Sequence, residues 1–177
     1  THSRVPELLK FLQLPEFKQK DIFNSYFKFT ILRDPVDTFI SEYFYLFRNP
    51  GPRTPNINQW IKNLKDSDKS DVVTDNWGIC SLQNKPIVDD YIMYSKYSGP
   101  GSTMYNDCVR ISKKLQLPEN LADIFYTTRA KTEYRKKDTV FLNKESLEFI
   151  EHVSKKQIEF TGEVFDTGVC DREMSVI

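Results

Sequence analysis

The stretch from Phe27 to Tyr43, FKFTILRDPVDTFISEY, begins with one period and ends with another. Its first part, with Tyr26 before it (YFKFTIL), is short, aromatic and β-branched, the composition of a buried strand. Asp34 can then cap a helix, and Pro35 suits the first helical position, where its missing N–H would be unsatisfied anyway. Val36, Phe39, Ile40, Tyr43, Phe44 and Phe47 follow at helical spacing and form one apolar face. A strand, a tight turn and an amphipathic helix thus follow without a gap, as in α/β folds. Between them stands Arg33. An arginine at the end of a buried strand is costly to desolvate unless an anion meets it there.

The remaining chain repeats the alternation. Leu8, Leu9, Phe11, Leu12 and Leu14 predict a short helix ending near Pro15. RNPGPRTPN breaks the helix after Phe47 and opens a polar loop to about Ser70, with a short helix predicted around Trp60–Leu64. PIVDDYIMYSKY reads as a second strand, SGPGST as a turn, and MYNDCVRISKKLQLP as a helix closed by Pro118. DIFYTT is predicted as a third short strand, and RAKTEYRKKDT as an irregular basic segment. NKESLEFIEHVSKKQIEF predicts a terminal helix capped by Asn143, with Glu145 and Glu148 near its positive end. Strands alternating with helices point to a parallel β-sheet flanked by helices.

Composition narrows the function. The 177 residues, 39% of them hydrophobic, suffice for a single domain with a real core. The 25 basic and 25 acidic residues cancel, which argues against a nucleic-acid coat or a polybasic membrane tether. No run reaches the roughly 20 apolar residues of a membrane span. Cys80, Cys108 and Cys170 lie far apart and match no zinc spacing, so free thiols and no metal are expected.

In a parallel α/β sheet, ligands bind beyond the carboxyl ends of strands, beside helix N-termini. Arg33 stands at such a place, and Ser41 lies about two turns into the following helix. A guanidinium fork with a hydroxyl suits a phosphate. The bland alternative is that Arg33 pairs with Asp34 or another carboxylate and that Ser41 has no special role.

The segment FTILRDPVDTFISEYFYL resembles the 3′-phosphate-binding motif of sulfotransferases that use 3′-phosphoadenosine 5′-phosphosulfate (PAPS). Within that family it is most similar to the Golgi-type carbohydrate enzymes, notably the heparan sulfate 2-O-sulfotransferase-like group and its microbial relatives. The resemblance implies a P-loop NTPase-like sulfotransferase fold over residues 1–177, with Arg33 and Ser41 holding the 3′-phosphate. VDDYIMYSKY and YNDCVRISKKLQLP are similar to the family's later strand and helix. TTRAKTEYRKKDT resembles its C-terminal nucleotide-binding loop, which makes Arg129, Lys131, Tyr134, Arg135 and Lys136, and less firmly Lys137, cofactor-binding candidates. A solvated basic loop is the alternative there.

THSR, at the start, resembles the segment that carries the family's catalytic histidine, which implies that His2 is the base for the acceptor hydroxyl. A terminal residue without a role is the other reading of His2, and His152 reads as a surface residue on the last helix. One departure stands out. The family's other phosphate site, a Lys and Ser/Thr loop for the 5′-phosphosulfate, has no counterpart before His2, and no Gly-x-x-x-x-Gly-Lys-Ser/Thr string occurs. The expectation is therefore that the sequence lacks an N-terminal portion of the enzyme; KYSGPGSTMYND, without the lysine, reads as a connection.

The resulting expectation is a PAPS-dependent sulfotransferase acting on a hydroxyl of a carbohydrate or small glycosylated acceptor. Arg48, Arg53, Lys62 and Lys65, in the segment after Phe47, would suit a sulfated or carboxylated glycan, with a solvated loop as the equal alternative, and Trp60 and Trp77 are sugar-stacking residues or, more commonly for such residues, core or loop anchors. A non-catalytic nucleotide- or phosphate-binding module of the same fold is the alternative. A P-loop phosphoryl-transfer enzyme is disfavoured by the absent Walker lysine. The family holds both luminal membrane-anchored and soluble microbial enzymes, which leaves the compartment open.

Overall fold

A computed structural model describes residues 15–67, 77, 80–82, 85–94, 99–127 and 140–162. The helix expected before Pro15, His2, the basic segment from Arg129 to Lys137 and Cys170 all lie outside these residues. The chain divides into two compact units, the first Thr1–Arg33 with Asn76–Arg129, the second Asp34–Asp75 with Ala130–Ile177.

The first unit contains helix α1 (Glu16–Ser25) and strand β1 (Phe29–Arg33). After the crossover to the second unit and back come the short antiparallel pair β2 (Ser81–Leu82) and β3 (Lys85–Pro86), then β4 (Asp90–Tyr94), α4 (Thr103–Leu115) and α5 (Leu121–Thr127). β1 and β4 are parallel neighbours in the register Phe29↔Asp90 through Arg33↔Tyr94. Their common start is fixed by Lys28, whose N–H donates to Asp89 Oδ2 at 2.7 Å and whose carbonyl accepts from Asp89 N at the same distance. Ile92 packs with Met104, Cys108 and Ile111 of α4 and Ala122 of α5, and Phe27 closes the cluster. Ser102 caps α4 by accepting from Tyr105 N at 3.1 Å. The helix ends at Gln116 in the left-handed conformation, ahead of Pro118.

A charged clamp joins β4 to α4. Asp90, only 8% exposed, accepts from Arg110 and, at 2.6 Å, from Lys114 Nζ. Burial pushes its carboxyl up, but the hydrogen bonds from Lys114 and Arg110 outweigh that and hold it below the usual range. Asp107 Oδ2 accepts from Met93 N at 2.9 Å, while Arg110 donates to Tyr91 O at 2.9 Å and to Asp107 Oδ1 at 2.8 Å. Residues of one parity along a parallel strand direct both backbone groups to the same side, so Tyr91 and Met93 line the edge of β4 away from β1. Side chains of α4 take up that edge.

The second unit consists of α2 (Pro35–Leu46), α3 (Ile57–Asp66) and α6 (Lys144–Thr161). Asp34 caps α2 by accepting from Asp37 N at 2.8 Å, and Pro35 opens it, as the sequence predicts. The apolar face of α2 meets Ile57, Trp60 and Ile61 of α3 and Ile150 of α6 in an aromatic core. Trp60 lies 6.1 Å from Phe39, 5.7 Å from Tyr43 and 6.5 Å from Phe47 between ring centroids. This makes Trp60 a core residue. Asn58 couples α3 to the start of α6: its Oδ1 accepts from Asn143 N and Ser146 Oγ, and its Nδ2 donates to Phe141 O. Asn143 is the cap of α6, and Gly162 ends it at φ 67°, a conformation in which glycine carries no Cβ penalty.

Three expectations are corrected. Asp123–Thr127 continues a helix begun at Leu121, not a third strand. Leu121, Ala122 and Phe125 recur at helical spacing against the α4 core, and Asn120 Oδ1 accepts from Ala122 N to start the turn. The short helix expected around Trp60–Leu64 is present but longer, spanning Ile57–Asp66, because Asn56 caps it and Ile57, Trp60, Ile61 and Leu64 share one face. The strand expected from Tyr26 begins at Phe29 and is not buried throughout: Leu32 is fully covered, but Phe29 is 37% and Ile31 44% exposed.

Candidate functional site

Arg33 is the last residue of β1, and the chain turns directly into α2 through the Asp34 cap. The strand delivers it because each residue of Thr30–Arg33 pairs in register with Tyr91–Tyr94, which aligns the carboxyl ends of both strands. Its register partner is Tyr94, and the guanidinium carbon lies over the Tyr94 ring, 5.0 Å from the centroid. Arg33 is half-buried and the Tyr94 ring is 40% exposed. A guanidinium fork is the kind of group that pairs with a phosphate or other oxyanion.

Ser41 lies on α2 in the second unit and is half-buried. The helix, with its first turn fixed by Asp34, Pro35 and the Thr38 hydroxyl donating to Asp34 O at 2.9 Å, sets the position of Ser41 along its axis. Arg33 and Ser41 therefore belong to different units, Arg33 closing the first. His2, Arg129, Lys131, Tyr134, Arg135 and Lys136 lie outside the described residues. His152 is exposed on α6, as the sequence predicts.

Of the residues proposed to face an acceptor, Arg48 and Arg53 are exposed, and the Arg48 guanidinium lies 5.9 Å from the Tyr45 ring centroid. Lys62 and Lys65 line a polar cleft of about 410 Å³ at the starts of α3 and α6, together with Asn56, Asn58, Asn143 and Glu145. Lys65 Nζ donates to Glu145 Oε1 at 3.0 Å, and that hydrogen bond holds the Glu145 carboxyl below its usual range. Among the described residues no group of three or more His, Cys, Asp or Glu side chains is placed to hold a metal ion. No helix among them is long and apolar enough to cross a membrane.

The sequence matches the family model described as the sulfotransferase family over residues 1–166. The chain belongs to the sulfotransferase family. Comparison with curated proteins and with solved structures found no match. The sequence places Arg33 at the end of a strand, as observed, but does not show its neighbour Tyr94. DYIMY reads as part of a strand that ends on an aromatic residue, but pairing the two strand ends needs the register.

Proposed function

We propose that this sulfotransferase-family chain transfers a sulfuryl group from PAPS to a hydroxyl of a carbohydrate or small glycosylated acceptor, with residues 1–177 acting as one catalytic domain. The observation that carries the reading is Arg33 at the carboxyl end of a parallel strand, within a chain matched to the family over residues 1–166. In this reading Arg33 and Ser41 bind the 3′-phosphate, while Arg129, Lys131, Tyr134, Arg135 and Lys136 contact the nucleotide. His2 accepts the proton of the acceptor hydroxyl. As the acceptor oxygen bonds to sulfur in line, the bond from sulfur to the bridging phosphate oxygen breaks, and adenosine 3′,5′-bisphosphate leaves. Positioning and neutralisation of the charge that develops on the bridging oxygen account for most of the rate gain.

Transfer of labelled sulfate from PAPS to a panel of saccharides tests the proposal. His2→Ala is expected to abolish transfer while leaving the affinity for adenosine 3′,5′-bisphosphate intact. Binding without transfer to any hydroxyl in the wild type would make the chain a nucleotide-binding module instead. Equal affinity for nucleotides with and without the 3′-phosphate would remove PAPS as the donor.

A further inference from the structure

The polar cleft lined by α3 and α6 lies wholly within the second unit. Its volume of about 410 Å³ falls in the range of small-ligand sites, roughly 300–1,000 Å³. Most such sites are lined by apolar side chains, whereas polar ones dominate here, so the cleft suits a polar occupant. Which polarity it offers follows from the two helix caps. Asn56 and Asn143 both line the cleft. Each uses its Oδ1 to accept from a backbone N–H of its own helix, Gln59 N at 2.9 Å and Ser146 N at 2.8 Å. A side-chain amide whose oxygen is engaged in this way has its two N–H donors left to offer. Asn58, by contrast, engages both its oxygen and its nitrogen within the fold.

The charges agree with the caps. Two lysines, Lys62 and Lys65, line the cleft against one acid, Glu145, an excess of one positive charge. Lys65 Nζ donates to Glu145 Oε1 at 3.0 Å, while Lys62 makes no ion pair among the described residues. The starts of two helices add the partial positive charge of their backbone N–H groups. Donors and positive charge together select an oxyanion. They are also spread out: Asn56 and Lys65 are nine positions apart, about 14 Å along α3, more than one inorganic anion can bridge. Glu145 retains acceptor capacity at Oε2, which suits a hydroxyl.

We propose that the cleft lined by α3 and α6 binds an anionic saccharide, with Lys62 and the Asn56 and Asn143 amides taking its carboxylate or sulfate groups and Glu145 taking a hydroxyl. Binding there requires neither PAPS nor Arg33, so it stands or falls separately from the proposed reaction.

Calorimetric titration of the whole chain with galacturonic acid oligomers, sulfated maltose oligomers, unsulfated maltose oligomers and inorganic sulfate tests the site. Both acidic oligomers are expected to bind more tightly than the neutral oligomers and than sulfate. Lys62→Gln is expected to weaken that binding roughly two- to fivefold, the worth of an ion pair open to water. Glu145→Gln is expected to strengthen it by a similar factor, because it removes the opposing charge and releases Lys65. Lys156→Gln, on α6 but outside the cleft, is expected to change nothing. Equal losses in Lys62→Gln and Lys156→Gln would reduce the binding to general surface attraction and overturn the site. Equal affinity for acidic and neutral oligomers overturns it too, as does sulfate binding as tightly as the oligomers. NMR of the Asn56 and Asn143 side-chain amides in the wild type decides the matter if a variant fails to fold. Their signals are expected to shift with the acidic oligomers and not with the neutral ones, and unmoved signals overturn the site. Acidic oligomers that bind in this way to a chain without sulfuryl transfer would remove the proposed reaction and leave the cleft.

Discussion

Replacing Asp90 with asparagine keeps the shape of a buried side chain and deletes the charge on which Arg110 and Lys114 converge. A hydrogen bond to a charged group is worth roughly 1.5–3 kcal/mol. Breaking a fully buried ion pair costs about 3–5 kcal/mol. Here Asp90 is 8% exposed, but Arg110 and Lys114 are 39% and 49% exposed and recover water when released. Arg110 also keeps Asp107 and the Tyr91 carbonyl. Discounting for that screening gives a loss of about 1.5–3 kcal/mol for Asp90→Asn. At about 2–4 °C per kcal/mol for a chain of this size, Tm should fall by about 3–12 °C at neutral pH. The pH dependence supplies a second check. Because the folded carboxyl titrates below its unfolded value of about 3.9, its contribution is complete above about pH 5 and is lost as pH falls through the folded value. The gap between wild type and Asp90→Asn must therefore narrow below about pH 4. Thermal unfolding followed by circular dichroism from pH 7 to pH 3 measures both. A Tm shift under about 1 °C at pH 7, or a gap that widens in acid, would refute the reasoning.

Asn58→Ala should destabilise by about 1–3 kcal/mol, since it strands the buried Ser146 hydroxyl and the Asn143 N–H at the start of α6; urea unfolding reads it, and a loss under about 0.5 kcal/mol would contradict the coupling. Burial pushes the Cys80 and Cys108 thiols up to about 11, so each is overwhelmingly protonated at pH 8. Both should resist Ellman's reagent until denaturant is added, with peptide mass spectrometry identifying which cysteines react. Arg33→Ala should weaken adenosine 3′,5′-bisphosphate binding by roughly 1.5–3 kcal/mol and leave adenosine 5′-monophosphate binding nearly unchanged, as calorimetry would show.

Local signals carried much of this fold. The turn from β1 into α2 was legible because Asp34 and Pro35 dictate a helix start regardless of what surrounds them, and the Asn143 cap announced α6 in the same way. The β4 strand and α4 were legible from period alone. Misreadings arose where tertiary packing outvotes composition. DIFYTT is aromatic and rich in β-branched residues, yet Asp123–Thr127 is helical because α4 offers Leu121, Ala122 and Phe125 a surface to cover. In NINQWIKNLKD a short helix was legible but not its full length, because its few apolar residues all fall on one side and meet the α2 aromatics. In the candidate site, Arg33 was legible because a charge ending an apolar run requires an explanation. Tyr94 was not, because its partnership with Arg33 exists only through a pairing between segments far apart in sequence.

The clamp on β4 has a consequence beyond its own stability. A stray polypeptide that tried to lengthen the sheet on the far flank would find the Met93 amide and the Tyr91 carbonyl already answered by Asp107 and Arg110. It would have to evict a carboxylate and a guanidinium that also hold each other. Recruitment of foreign strands, the opening move of fibril growth, is thereby closed off on this side by side chains from a helix rather than by another strand.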